Sequence, residues 1–528
     1  MNQILKLEKI QKTLDSIKIT NEVGTDLQFS YEETESNNLI IKVPFTDDIT
    51  YGDPQVITLK YKSYGLVVQS GAVFDVYIPG FPEGYDLSDG NTSETINTKV
   101  IIPNEMPELN LSIPKLDVTS LSNGDKSIDI DFDKLKGDTV WLQIGSEQFY
   151  EFVIKQEVPK TTNAPIVLNT VDLILPRDID SGPISQRVYY EEINPEPYSI
   201  KEDSDGNLIA EFKLTANRNQ EIYIKGYATQ RQDPNFNINE ATTILDIPTS
   251  LINKYTEPAE YWEVNDPQIM STALDLKGTK TNTGEIVNQT YNFVVDRIDY
   301  SFVKKYGINE RQGAKATLNG GAAVCMEYAD LFITLMRAQG IPARAAYGYG
   351  YSSLDFESRS ENRINHQWAE VYLPGLDTWI NVDTTWGDFG TTLVGGDLNH
   401  FYSHVSSIDP NTPSLLQTSY FGNIGDIPER EMDIKLLRDV EIKASFDSSD
   451  ELLRKYKEKE GINIITGNVS LYANNFNEQL NIVLIDRAGL TTTGAMIVKL
   501  AVLFIILSPI LYSLGKKILR IFFKENSK

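Results

Sequence analysis

Hydrophobic and polar positions follow two patterns along most of the chain. Up to about residue 243, short apolar runs alternate with turn clusters, which is typical of β domains. We place a first β-sandwich over 1–115 and a second β domain over 116–243. Apolar residues then recur with helical spacing and are followed by further strand patterns, which predicts an α+β unit over 244–410. Later runs predict a small β region over 411–494.

A run of twenty residues, 495–514, is apolar apart from Lys499 and two serines. At about 1.5 Å per residue it matches a hydrocarbon core of about 30 Å, so we predict a single transmembrane helix. Residues 515–528 form a basic tail, which belongs in the cytoplasm and places 1–494 outside. The first residues lack the apolar stretch of an export signal. We favour a start upstream of Met1 over the alternative, a tail-anchored protein whose enzyme domain lies inside.

The segment around the sole cysteine predicts a helix. Polar residues recur there at spacings of 3, 4 and 3, from Glu327 to Arg337, and apolar residues fill the other positions. We interpret this as a helix with one solvated stripe, ended by Gly340. Cys325 then lies in or just before the first turn, where the helix dipole favours a nucleophilic thiolate. The alternative is that Cys325 is a small buried apolar residue.

Downstream of the cysteine, two β-rich runs flank Pro374-Gly375 and predict a hairpin. A two-residue loop places His366 directly opposite Asp383. A four-residue loop shifts the register by two and leaves Asp383 on the same face, one diagonal away. Both loops bring the carboxylate to the imidazole. A cysteine, a histidine and an aspartate have the make-up of a nucleophile, its base and the group that orients the base.

Three sequence blocks, GGAAVCMEYADLFITLMRAQGIPARAAYGYGY, NHQWAEVY and WINVDTTW, resemble the transglutaminase-like superfamily, which has a papain-like cysteine core. The resemblance implies that Cys325 is the nucleophile, His366 the general base and Asp383 the orienting acid. Ala323 stands where the family usually has a glycine. Residues 175–228 are similar to the β domain that often precedes this core in prokaryotic members. We therefore expect a multidomain protein with N-terminal β-sandwich domains, an α+β papain-like transglutaminase core and a C-terminal transmembrane helix.

The composition and the positions of the histidines limit which molecules and metal ions the protein is expected to bind. The formal charge of −26 argues against nucleic acid, which needs clustered Lys and Arg. A single cysteine allows no intramolecular disulfide. His400 and His404 could share a helix face, but a third metal ligand is not evident, so we assign no metal and no cofactor. The predicted partners are a protein or peptide substrate and the membrane; the sequence leaves the oligomeric state open.

Residues around the predicted catalytic group are assigned structural or oxyanion-binding roles. Arg344 is expected to bond turn carbonyls, and Trp368 and Trp379 are expected to be packing residues. The Cys325 N–H is the first oxyanion donor, and Asn319 is suggested as the second.

Three functions fit these expectations. A Cys325 thioester resolved by water gives a peptidase or amidase, which we favour because an acidic site for an amine cannot be recognised. A thioester resolved by a lysine-type amine gives a protein-crosslinking transglutaminase. The third function is a non-catalytic surface stalk that retains the core as a scaffold.

Overall fold

The computed structural model describes the greater part of the chain. It covers residues 11–33, 39–44, 56–63, 66–80, 96–135, 139–161, 163, 168–233, 235–306, 310–350, 364–387, 393–406, 417–419, 430–460, 484, 490–491 and 493–501. The first strands form two small antiparallel sheets, in which β1 pairs with β4 and β2 pairs with β3. Their bounds are Lys18–Asn21 (β1), Ser30–Glu33 (β2), Leu39–Lys42 (β3) and Ile57–Lys60 (β4).

Two further sheets share one apolar core and form a sandwich, in the strand orders β5-β6-β11-β8 and β7-β10-β9. The strands are Val67–Ser70 (β5), Val73–Ile78 (β6), Thr98–Ile102 (β7), Leu109–Ile113 (β8), Thr119–Ser120 (β9), Lys126–Ile130 (β10) and Val140–Ile144 (β11). Because β8 pairs with β11 and β7 with β10, the expected boundary at residues 115 and 116 falls inside this sandwich.

A second pair of sheets follows, in the orders β14-β15-β18-β12-β25 and β16-β17-β13-β24. Its strands are Glu147–Val158 (β12), Leu168–Leu175 (β13), Ile179–Ser181 (β14), Ile184–Asn194 (β15), Ser199–Glu202 (β16), Leu208–Thr215 (β17), Gln220–Gln232 (β18), Gln417–Ser419 (β24) and Glu431–Leu437 (β25). Alternating side chains of the long strands enter a shared core. The described strands after residue 411 thus extend these two sheets.

The α+β unit lies between β18 and β24. Its helices are Thr249–Tyr255 (α1), Pro267–Lys277 (α2), Thr283–Arg297 (α3), Phe302–Tyr306 (α4), Ala314–Leu318 (α5), Cys325–Ala338 (α6) and Thr384–Gly387 (α7). Its sheet has the order β22-β21-β20-β19-β23, with strands Ala343–Gly350 (β19), Ile364–Leu373 (β20), Thr378–Asp383 (β21), Leu393–Val394 (β22) and His400–Ser406 (β23). Helix α6 is buried between this sheet and helices α2, α3 and α5.

The C-terminal part is described only in places. Helix α8 (Ser449–Glu460) packs on β15 and β16 of the second pair of sheets. Residues 493–501 are helical. Among the residues that the structure describes, none of the helices has both the length and the apolar composition needed to cross a membrane. Most of the predicted span, 502–514, and the basic tail lie outside the described residues.

Candidate active site

Cys325 is the first residue of helix α6, and its side chain is partly exposed. The segment before it is held in place, because the Ser301 N–H donates to the Ala323 carbonyl oxygen at 2.8 Å. The Glu327 carboxylate accepts the Val324 N–H at 3.0 Å, so a side chain in the first turn caps the helix start. These bonds fix the thiol at the positive end of the helix dipole, as the sequence predicted.

The polar stripe of α6 is buried, so the prediction of a solvated face was wrong. Glu327 is fully buried and accepts a hydrogen bond from Lys304 Nζ at 2.7 Å. Asp330, also fully buried, is held by the Arg311 guanidinium and by Trp262 Nε1 at 2.8 Å. A polar stripe with helical spacing can face charged side chains instead of water, and the spacing alone does not distinguish the two cases.

The hairpin that carries the histidine has the four-residue loop. Leu373 pairs with Thr378, and the same register places Asp383 across from Trp368, one diagonal from His366. His366 Nε2 and Asp383 Oδ2 lie 2.7 Å apart. Both residues are buried, whereas the thiol is partly exposed. A substrate can therefore reach the sulfur, while the Asp383 carboxylate stays shielded from bulk solvent behind the imidazole.

The charge of His366 follows from its neighbours. Burial alone would lower its pKa, but the Asp383 carboxylate and the bonds to Asp383 and Cys325 raise the pKa to about 10. Because Nε2 is bonded to Asp383, Nδ1 is the ring nitrogen left for Cys325. The Trp386 indole stacks on the ring at 5.4 Å between centroids. A protonated imidazole beside the sulfur stabilises a thiolate.

Asp383 is held by bonds to both of its oxygens. Oδ1 accepts the N–H groups of Thr385 and Trp386 at 2.9 and 3.3 Å. Oδ2 lies 2.7 Å from His366 Nε2 and 2.9 Å from His400 Nε2. Burial alone would raise the pKa of Asp383, but the two histidines lower it, so the group is an anion at neutral pH. The carboxylate cannot rotate without breaking several bonds.

His400 is a site residue that the sequence analysis missed. Its Nε2 bonds Asp383, and its Nδ1 lies 2.6 Å from Asp397 Oδ1. Burial would lower the pKa of His400, but the Asp397 and Asp383 carboxylates raise it. Residues 400–406 form strand β23, so His400 and His404 do not share the helix face that their spacing allowed. A regular strand would keep His400 and His404 on one face, but β23 has a register shift against β19 between Tyr402 and His404, so no local signal in NHFYSHV separates the two histidines.

A family model matches the part of the chain that carries Cys325, His366 and Asp383. Residues 271–384 match the family model of the transglutaminase-like superfamily. This segment belongs to that superfamily. It contains Cys325, His366 and Asp383 but ends before His400. A comparison with curated proteins gives no match.

Three solved structures are similar to parts of the chain. A candidate cysteine protease from Cytophaga hutchinsonii is 17% identical, covers 57% of this chain and 94% of its own, and has a TM-score of 0.37. The periplasmic domain of TgpA from Pseudomonas aeruginosa is 14% identical over 46% and 88%, with a TM-score of 0.25. A candidate protease from Parabacteroides distasonis is 12% identical over 61% and 67%, with a TM-score of 0.18.

The departure from the superfamily pattern, Ala323, is accommodated without strain in the transglutaminase-like core. The residue is fully buried and forms a parallel β-bridge with Tyr300. The left-handed turn that admits the chain to the site lies earlier, at Gly320, where φ is +89°. The chain makes its left-handed turn at Gly320. Position 323 therefore does not require a glycine.

Asn319 does not have the role suggested for it. Its Nδ2 donates to Gln268 Oε1 at 3.2 Å and to the Lys315 carbonyl oxygen at 2.9 Å. An amide nitrogen has two hydrogens, so both are engaged. The geometry therefore gives no support to Asn319 as an oxyanion donor.

Arg344 and the two tryptophans have structural contacts. Arg344 lies 2.7 Å from the buried Glu370 carboxylate and packs over the Trp379 ring at 4.2 Å. It is Arg337, not Arg344, that donates to main-chain carbonyl oxygens, those of Ala343 at 2.8 Å and Glu257 at 2.6 Å. Trp368 donates Nε1–H to a buried amide oxygen at 2.7 Å and packs beside the His366 ring. Trp386, which the sequence analysis did not single out, covers that ring.

His366, Asp383 and His400 are close enough to suggest a metal site. The carboxylate oxygen lies 2.7 and 2.9 Å from the two imidazole nitrogens. Two ligands of a tetrahedral zinc ion, each about 2.1 Å from the metal, lie roughly 3.4 Å apart. The observed distances are those of hydrogen bonds, which account for the cluster.

Proposed function

We propose that this protein is a cysteine enzyme that hydrolyses amide bonds of proteins or peptides through a thioester at Cys325. The observation that carries the proposal is the arrangement of three side chains. A partly exposed thiol begins a buried helix, and the imidazole that interacts with it is held by a buried carboxylate at 2.7 Å. This is the arrangement that activates a cysteine nucleophile.

In the first step, the Cys325 thiolate attacks the carbonyl carbon and a C–S bond forms. The Cys325 backbone N–H stands at the helix start, where it can donate to the developing oxyanion. His366 then gives its proton to the leaving nitrogen as the C–N bond breaks, and an amine departs. In the second step, His366 takes a proton from water, the hydroxide attacks the thioester, and the acid and free thiol are released.

The same thioester could pass to an amine, and one assay separates the outcomes. Full-length enzyme is incubated with a glutamine-containing protein and a labelled primary amine, and cleavage, ammonia release and amine incorporation are measured together. We expect cleavage or ammonia release without incorporation, and we expect Cys325→Ala to abolish it. Incorporation as the main product would replace hydrolysis with crosslinking. Full activity in Cys325→Ala would refute the nucleophile.

We also propose that residues 495–514 anchor the enzyme, with the active site outside the membrane. Two features of the sequence support this anchor. Residues 495–514 are long and apolar enough to span a bilayer, and basic residues follow them. The substrates would then be proteins or peptides of the cell envelope.

A further inference from the structure

The His400 ring is held between two carboxylates. Nε2 lies 2.9 Å from Asp383 Oδ2, and Nδ1 lies 2.6 Å from Asp397 Oδ1. Asp397 Oδ1 also accepts the Asn399 N–H at 2.9 Å, which orients the second carboxylate. The His400 side chain is 4% exposed. A neutral imidazole has one donor nitrogen, so only the imidazolium form can donate to both carboxylates.

The ring fits its place closely. The Trp386 indole lies 4.4 Å from it and the Trp368 indole 5.0 Å, measured between centroids. On the neighbouring strand β19, the partner of His400 is Gly350. A Cβ at Gly350 would come within 2.7 Å of the Trp386 ring. Aromatic rings thus pack on the His400 imidazole. Among the described side chains, its polar contacts are the carboxylates of Asp383 and Asp397.

We propose that His400 is a positioning residue of the active site, a permanent imidazolium that holds Asp383 and sets how strongly Asp383 acts on His366. This rests on the proposed function, because it assigns His366 and Asp383 their catalytic roles. Charges then alternate through Asp397, His400, Asp383, His366 and the Cys325 thiolate. His400 and His366 both contact Oδ2 of Asp383. The positive charge of His400 therefore partly neutralises the carboxylate that raises the pKa of His366.

The titratable groups around His400 come from several elements. Within the described residues they are Asp383 at the end of β21, Asp397 in the loop before β23, and His366 on β20, whose ring lies 5.5 Å away. From β6, the buried Asp75 lies close enough for the Asp397 carboxylate to raise its pKa. Removing the positive charge of His400 would destabilise nearby anions, including the Cys325 thiolate, and would stabilise nearby cations, including protonated His366. Both limbs of a pH profile that reports on Cys325 should therefore move to higher pH.

The test uses Cys325 as a reporter, since it is the sole cysteine. The rate of alkylation by iodoacetamide is measured from pH 4.5 to 10 in full-length wild type, His400→Gln, Asp397→Asn and His404→Gln. Glutamine can keep the bond to Asp383 but carries no charge. Asparagine at 397 removes the stronger of the two anions that keep His400 protonated. His404 is the matched control, a buried histidine of the same strand that bonds Ser403.

We expect both limbs to shift upward in His400→Gln, by about 2 pH units for a unit charge at the 5.5 Å between the His400 and His366 rings and an effective dielectric constant near 20. Asp397→Asn should shift them the same way by a smaller amount, because the lost Asp397 anion acts in the opposite sense to the lost cation, and His404→Gln should match wild type. Unchanged profiles in both site variants would overturn the proposal. A uniform loss of rate with unshifted limbs would also overturn it, because that indicates a merely structural role.

A second measurement needs neither folded variants nor a reactive thiol. The chain has three histidines, so ¹⁵N spectra of the imidazoles are simple to resolve. We expect His400 of the wild type to carry protons on both ring nitrogens at pH 7, and a singly protonated ring would refute the proposal. If His400 is doubly protonated but Cys325 proves unreactive, the proposed function fails while the charge state of His400 stands.

Discussion

At the scale of single residues, three buried histidines differ in charge because their partners differ. His366 and His400 contact carboxylates, which outweigh the cost of burial and raise the pKa of each. His404 packs on the Tyr347 ring instead, so burial, assisted by the charge of Arg430, holds its pKa well below the ordinary value. Partner identity thus decides whether a buried imidazole is charged.

Replacing Asp383 by asparagine tests this for His366. The variant keeps His366 buried but loses the Asp383 carboxylate, which stabilises the imidazolium. The pKa of His366 should therefore fall from about 10 to below the ordinary value of 6.5. The ring would be mostly neutral at pH 7. An imidazole NMR titration measures this directly, with the His404 signal as the internal control. A His366 ring still protonated at pH 8 in Asp383→Asn would contradict the assignment.

The sequence was sufficient for some of these residues and not for others. Cys325, His366 and Asp383 lie within recognisable blocks, and the even spacing of the hairpin brings the last two together for either loop. His400 lies outside those blocks. Its contact with Asp383 depends on β23 pairing with β19, a long-range contact with a register shift that no local pattern specifies.

At the scale of elements, helix α6 is held by buried charge pairs as well as by apolar packing. Glu327 in its first turn bonds Lys304 of α4 and caps the helix start. The sequence correctly placed the start and the stop of this helix, because the small residues before Cys325 and the glycine at 340 are local signals. The burial of its polar face required knowledge of α4 and of the segment before α5.

Glu327→Gln should loosen the start of α6. Glutamine can still accept the Val324 N–H, but Lys304 loses its counterion while buried, which costs about 3 kcal/mol or more. Hydrogen exchange of the α6 amides should rise roughly a hundredfold if local opening controls it. Glu32→Gln, in an exposed pair with Lys42, is the control and should change exchange little. Equal exchange in the two variants would argue against a stabilising role for the buried pair.

At the scale of the whole molecule, the β-rich regions and the active-site unit are connected through β23. Tyr150 of β12 donates to the Leu398 carbonyl oxygen at 2.6 Å, and Gln230 of β18 donates to that of His400 at 2.6 Å. The loop before β23 also contacts β6 of the sandwich, through Asn399 and Asp75. The pattern of short apolar runs and turns predicted that β domains precede the core. It could not predict these contacts, which join residues more than 160 positions apart.

The proposed anchor makes a prediction at the same scale. Full-length protein should stay with the membrane after alkaline carbonate extraction, because residues 495–514 would span the bilayer. Protease added to intact expressing cells should degrade the region before Ala495 and spare the basic tail. Release by carbonate would refute the anchor, and protection of residues 1–494 with cleavage of the tail would invert the topology.

The central claim is that the fold activates Cys325, and one comparison tests it without a known substrate. The rate of iodoacetamide labelling at pH 5.5 is measured for the folded wild type, for His366→Gln, and for the wild type unfolded in urea. Since an imidazolium and a helix start stabilise the thiolate, folded wild type should react at least about tenfold faster than either reference. A folded protein that labels no faster than the unfolded chain would contradict the account.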